Sequence, residues 1–318
     1  MSFREFFSFF AASNCCMKNL SENYKGILYS IVAALMWSVL AIALKVALNR
    51  LSPGTIVCAR FIVAFLFLAA FLIITRPQAF LIFRKPPLKL VFASLCLAFN
   101  YFGFMKGIQY TTPSNAQVFI QLGPVLFAVI GIYLFKEKIN WKHIVGFIVL
   151  LGGLGLFFRE QILALGNHGT YSLGIIWVTA AAVAWAFYAV LQKDLTKDGS
   201  VNQLNLFIYG LCSIIFLPIV NYSDLAGLGF GMWMMILFLG LNTLIAYGSI
   251  SLAFRYLDSS KVSVIATMNP VVTFVLMFFF GKMHVSWIAP EHFSAVSILG
   301  TVLAMGGAVF VILFTRKE

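Results

Sequence analysis

Residues 114–136 read "SNAQVFIQLGPVLFAVIGIYLFK", and residues 260–282 read "SKVSVIATMNPVVTFVLMFFFGK". Laid over one another at a shift of 146, they match without a gap at Ser114 and Ser260, Val118 and Val264, Pro124 and Pro270, Val129 and Val275, and Lys136 and Lys282. In the same frame Tyr101 and Tyr110 fall on Tyr247 and Tyr256. Each copy is as long as the roughly 20 apolar residues that cross a hydrocarbon core about 30 Å thick. Each also holds a proline, which removes one backbone hydrogen bond and crowds the carbonyl one turn earlier, so each helix should kink. A membrane-length segment written twice, breaker included, points to a duplicated membrane protein.

The duplication extends in both directions. A shift of 148 pairs Gly26, Trp37, Ala41 and Lys45 with Gly174, Trp185, Ala189 and Lys193. Beyond "WIAPEHFS" the shift becomes 154 and pairs Gly146, Gly152 and Gly153 with Gly300, Gly306 and Gly307. Composition agrees: of 318 residues, 62% are hydrophobic and 10% charged, and the mean hydropathy is +0.98. Ten spans are expected, near 26–48, 54–75, 87–109, 114–135, 142–158, 172–192, 202–220, 231–254, 260–281 and 293–314. The expected fold is all-α integral membrane, with repeats at 26–159 and 172–315 behind a cytoplasmic N-terminal segment, 1–25. That segment lacks the apolar core and cleavage site of a removable signal peptide. Five spans is an odd number, so the second repeat enters the bilayer from the opposite side, the arrangement that permits alternating access.

The net charge of +12 does not indicate nucleic acid, because the basic residues mark topology. Arg76, Arg84, Lys85 and Lys89, then Lys136, Lys138 and Lys142, then Arg316 and Lys317, all fall on one side of the ten-span arrangement. By the positive-inside bias both termini are cytoplasmic and the protein belongs in a cytoplasmic membrane. No phosphate-binding loop, HExxH or nucleophile elbow occurs, so an enzyme is not expected. Only "GKMHVSWIAPEHF", with His284, Glu291 and His292, offers loop residues to an enzyme, and their spacing matches no metal motif. The five cysteines show neither a disulfide nor a metal spacing. No cofactor is expected.

The pattern resembles the drug/metabolite transporter superfamily, in particular its ten-helix EamA-type members. The resemblance rests on Trp37 with Lys45, "SPGTIVCAR" ending in Arg60, "GPVLFAVIGIYLFKEK" with Pro124 and Glu137, and Gly146 with Gly152 and Gly153, and it covers 26–315. It implies a secondary transporter for amino acids and related metabolites, often in export; related families carry nucleotide sugars or S-adenosylmethionine. Two motif residues are not duplicated: Glu137 falls on Met283, and Arg60 on Ile208.

Polar and aromatic residues at mid-depth are the substrate-binding candidates: Trp37, Asn100, Tyr101, Gln117, Gln121, Trp185, Tyr188, Asn242, Tyr247, Ser263 and Thr267. An amide in hydrocarbon needs a partner, so each must face another helix or a wet cavity. Gln117 and Gln121, spaced i, i+4, share a face, and Ser263 and Thr267 are their counterparts. Gly123 with Pro124 and Asn269 with Pro270 are expected hinges. Lys45, Arg60 and Lys193 lie near span ends, where long cations either snorkel to the interface or guard a gate. The glycines of the fifth and tenth spans permit close packing within one protomer or across a homodimer. No acidic residue falls at mid-depth, which favours facilitated diffusion or exchange over direct carboxylate coupling. The expected partners are a small-molecule substrate and the lipid bilayer; a scaffold without transport is the reading that mid-depth polar residues disfavour.

Overall fold

A computed structural model describes residues 21–137, 141–164, 169–288 and 294–314. Most of the expected N-terminal segment, and Glu291 and His292, lie outside the described residues. The chain is all-helical: α1 (Glu22–Ala47), α2 (Pro53–Thr75), α3 (Leu88–Tyr110), α4 (Pro113–Phe119), α5 (Leu122–Phe135), α6 (Trp141–Ala164), α7 (Gly169–Leu195), α8 (Val201–Phe216), α9 (Phe230–Tyr256), α10 (Ser259–Ala266), α11 (Asn269–Lys282) and α12 (Ala295–Phe314). Counting α4 with α5 and α10 with α11 as single spans, eight spans among the described residues are long and apolar enough to cross a membrane; α6 contains a shorter apolar stretch, Ile144–Leu156.

Local sequence sets the ends. Pro53 and Pro113 open α2 and α4, where a missing N–H costs nothing. The residue before each caps the helix: Ser52 Oγ accepts from Thr55 N at 3.4 Å, and Thr112 Oγ1 from Asn115 N at 3.3 Å. The spans at 113–135 and 259–282 are each two helices, and the break falls about one turn before the proline. Pro124 has no N–H for the Ile120 carbonyl, so Gly123 N takes that carbonyl instead, at 2.9 Å, in a tighter turn. In the second copy Met268 N turns back to Ile265 O at 3.1 Å.

Packing follows the duplication. α3 lies on α7 as α9 lies on α1, while α2 packs on its own counterpart α8, and α6 on α12. The last pair needs its glycines: a Cβ on Gly153 would sit 2.3 Å from Ala304 N, and one on Gly307 would sit 2.5 Å from Leu150 N. These glycines are therefore used within one chain. Outward faces stay apolar; on α3, Phe92, Leu95 and Phe99 are exposed while Leu90, Ala93 and Leu97 are buried. Such a surface suits lipid as its solvent, and helix association there rests on close packing and interhelical hydrogen bonds.

Candidate substrate cavity

The equivalent residues Trp37 and Trp185 meet at the junction of the repeats, ring centroids 5.8 Å apart and planes at 83°. Tyr247 stands edge-on to Trp37 at 5.7 Å, and Tyr101 lies 5.3 Å from Tyr247. A narrow cleft with about 520 Å³ of empty space opens beside this cluster. Apolar walls come from Leu40, Phe104 and Ile120, which sequence reasoning missed because nothing distinguishes them from lipid-facing neighbours.

The amides are ordered by backbone carbonyls. Gln117 Nε2 donates to Trp37 O at 2.6 Å, across the α1–α4 contact. Gln121 Nε2 donates to Gln117 O at 2.8 Å and to Asn269 Oδ1 at 2.7 Å, joining the breaks of the two repeats. Asn269 thus borders the cavity besides standing next to Pro270. Its carbonyl accepts from Ser38 Oγ at 3.0 Å, so α1 is clasped to α11.

Asn100 and Asn242 have matching jobs at related contacts. Asn100 Nδ2 donates to Ala181 O at 2.9 Å, from α3 to α7, and Asn242 Nδ2 to Met36 O at 2.9 Å, from α9 to α1. Asn100 also edges the cleft, whereas Asn242 is not among its lining residues. Tyr188 is fully buried behind Tyr247, 5.8 Å away. Thr267 turns to its own helix, Oγ1 donating to Val264 O at 2.7 Å, and borders a separate smaller cavity with Pro270, Leu154 and Ala304. Ser263 is fully buried and lines neither. The glutamines face the cleft and their smaller counterparts do not, so the site is asymmetric.

Arg60 departs furthest from expectation. Instead of reaching the interface it is 2% exposed and turned into the cleft, its guanidinium 4.4 Å above the Tyr101 ring and its Nε donating to Thr243 Oγ1 at 3.1 Å. A guanidinium two turns into a span finds an aromatic face and a hydroxyl closer than water.

The two lysines are equivalent in structure as in sequence. Lys45 Nζ donates to Thr111 O at 2.6 Å, and Lys193 Nζ to Leu257 O at 2.6 Å, where Leu257 is the counterpart of Thr111. At the Lys193 end a carboxylate joins the arrangement. Glu137 lies 3.6 Å from Lys193 Nζ and accepts from Ser259 N at 2.5 Å, Ser260 N at 3.2 Å and Ser260 Oγ at 3.0 Å. It neutralises a buried cation and the positive start of α10 together. Gly131 admits this approach, since a Cβ there would lie 2.3 Å from Ser259 Cβ. At the other end the counterparts are Met283 and the bulky Met277.

The cleft lies toward the Lys45 end. Trp37 and Leu40 are about 12 and 8 Å short of Lys45 along α1, and Arg60 sits in the half of α2 that begins beside it. Outside the spans on this side, Asp224 ties the 221–225 turn to α2: it accepts from Ser52 N at 2.7 Å, Thr55 Oγ1 at 3.0 Å and Asn221 Nδ2 at 2.7 Å. Burial pushes its carboxyl up, but these donors prevail and hold it below the usual carboxylate value.

Comparison with known proteins decides the family: the model of the EamA-like transporter family matches twice, at 24–159 and 172–313. The chain belongs to the EamA-like transporter family. It is therefore a multi-pass membrane protein of the drug/metabolite transporter superfamily, with an internal repeat, and a secondary transporter rather than an enzyme. Among relatives of this transporter, the uncharacterized inner membrane transporter YhbE of Escherichia coli (strain K12) is 32% identical over 294 residues, covering 90% of each chain. An uncharacterized transporter of Haemophilus influenzae is 31% identical over 292 residues, covering 89% of this chain and 93% of its own. A solved crystal structure at 21% identity superposes with a TM-score of 0.70, covering 93% of this transporter and all of the other chain, and supports the fold.

Proposed function

We propose that this transporter is a ten-span carrier of two inverted five-span repeats, 26–159 and 172–315. It moves a small organic metabolite across the cytoplasmic membrane by alternating access. The observation that carries this reading is the cleft itself, which lies where the repeats meet, on the pair Trp37 and Trp185, and is bounded by both broken helices. Broken helices at a repeat interface are where such carriers hold substrate.

With both termini cytoplasmic, the Glu137 latch closes the inner side and the cleft faces outward. Movement of α4–α5 and α10–α11 about Gly123, Pro124, Asn269 and Pro270 would exchange the two ends, breaking the bonds of Glu137 to Ser259 and Ser260 while Lys45 and Lys193 stay on their carbonyls. Mid-depth carries no carboxylate, which supports facilitated diffusion or exchange. Amino acids and related compounds fit the mixture of aromatic faces and amides. A polyphosphate nucleotide is disfavoured by the cation content of the cleft, where Arg60 is the one cationic side chain among the described lining residues.

Counterflow tests the proposal. Proteoliposomes preloaded with an unlabelled substrate should transiently accumulate the labelled form, and Leu40→Cys in intact cells should react with a membrane-impermeant maleimide while Ser263→Cys does not. Absence of counterflow across amino acids, organic acids and S-adenosylmethionine would overturn it.

A further inference from the structure

We propose that Arg60 is a ligand-binding residue and that the cleft selects a monocarboxylate with a flat or apolar body. The inference deepens the carrier reading and rests on it. Two independent observations carry it, one a donor and one an acceptor.

The donor is the guanidinium. It offers five N–H groups, of which the described residues take one, Nε–H to Thr243 Oγ1 at 3.1 Å. Tyr101 covers one face at 4.4 Å. Among the described residues no carboxylate forms an ion pair with it. A cation 2% exposed in a membrane span, without a counter-charge, is costly to keep, and such residues characteristically serve a substrate path. Thr243 and Tyr101 hold the group by one edge and one face, and the terminal Nη1 and Nη2 fork of this cleft-lining residue has no hydrogen-bond partner among the described residues. That fork matches the two oxygens of a carboxylate.

The acceptor is Gln121 Oε1, which is buried, lines the same cleft by its residue and has no hydrogen-bond partner among the described residues. Its orientation is determined, because Nε2 already donates to the Gln117 carbonyl and to Asn269 Oδ1; a flipped amide would set oxygen against the carbonyl. Oε1 therefore calls for a hydrogen-bond donor from the ligand, which an ammonium group would supply. Ile208 replaces Arg60 in the second repeat, and Thr267 replaces Gln121, so the ligand has one polar orientation. A single guanidinium suits one carboxylate better than a phosphate chain, and the Trp37, Trp185 and Phe104 walls suit an apolar body.

The test uses purified full-length protein and five probes: indole-3-propionate, indole-3-propionamide, tryptamine, tryptophan and inorganic phosphate. Binding is read as a shift in thermal midpoint. The carboxylate should raise the midpoint selectively, and Arg60→Gln should weaken it about 10- to 100-fold, as for lost charge-assisted hydrogen bonds, while Arg60→Lys recovers only part. Tryptophan should outbind indole-3-propionate in the wild type, and this advantage should vanish in Gln121→Ala. Equal shifts by amide or amine, a larger shift by phosphate, no shift by either carboxylate, or undiminished carboxylate binding in Arg60→Gln would each overturn the proposal. Because the probe series is run on the wild type, a misfolded variant leaves it decisive. Counterflow confined to solutes that lack a carboxylate would keep the carrier reading and reject this one; carboxylate binding without counterflow of any solute would do the reverse.

Discussion

Trp37 and Trp185, equivalent residues of the two repeats, touch each other at the point where the repeats meet, their rings edge to face at 5.8 Å. A side chain contacting its own counterpart lies close to the axis relating the halves, and the cleft is built against that contact. Its walls nevertheless come mainly from the first repeat, which supplies Arg60, Gln117 and Gln121.

The two tryptophans should be energetically coupled. Trp37→Ala and Trp185→Ala are each expected to lower stability by about 3–5 kcal/mol, the range for truncating large buried aromatics. The double variant should fall short of the sum by about 0.5–1.5 kcal/mol, the worth of an aromatic pair. A double-mutant cycle by equilibrium unfolding checks this; strict additivity would mean the contact contributes nothing.

Glu137 should act as the closure of its end. Glu137→Gln removes the ion-pair partner of Lys193 and weakens the hold on the start of α10. The expected outcome is a shift of the population toward the state open at that end, read as at least about tenfold faster labelling of Ser263→Cys, or about 1.4 kcal/mol. Met283→Glu, which adds a carboxylate at the related position, should not produce that increase.

The two clasping asparagines should separate. Asn242→Ala is expected to cost about 0.6–2 kcal/mol, the span measured for interhelical hydrogen bonds, with ligand affinity unchanged, because Asn242 bonds Met36 O away from the cleft. Asn100→Ala should cost a similar amount and weaken ligand as well, since Asn100 also edges the cavity. Paired thermal-shift measurements, with and without ligand, distinguish the two.

Asp224 gives the pH dependence a sign. Its folded carboxyl is held below its unfolded value, which is near 3.9, so its contribution is fully present above that value and fades as pH falls toward the folded one. Asp224→Asn should therefore be destabilising at pH 7, with the deficit shrinking below about pH 4. Thermal midpoints at both pH values check it; a deficit that grew on acidification would contradict the bonding to Ser52 and Thr55.

Much of the architecture is legible in the chain because lipid imposes a strong rule: every backbone bond must close within a helix, so apolar length reports the spans directly. The repeat is legible too, since Pro124 and Pro270, Trp37 and Trp185, and Lys45 and Lys193 recur at nearly constant shifts. These pairings locate the broken helices and the aromatic centre without coordinates. What the linear pattern leaves open is which face of each span meets a cavity. Gln121 and Thr267 hold equivalent positions, yet one lines the cleft and the other bonds its own helix. Asn100 and Asn242 make the same kind of clasp, and only one borders the cleft. Arg60, near the end of its span by count, turns inward because Tyr101 and Thr243 await it from α3 and α9. Sequence thus determined an all-helical membrane chain, its duplication and the places where helices break, all properties of one helix and its solvent. Tertiary packing alone decided the cleft and the end at which Glu137 meets Lys193 and the start of α10, because both depend on which side chains from distant spans arrive at the same point.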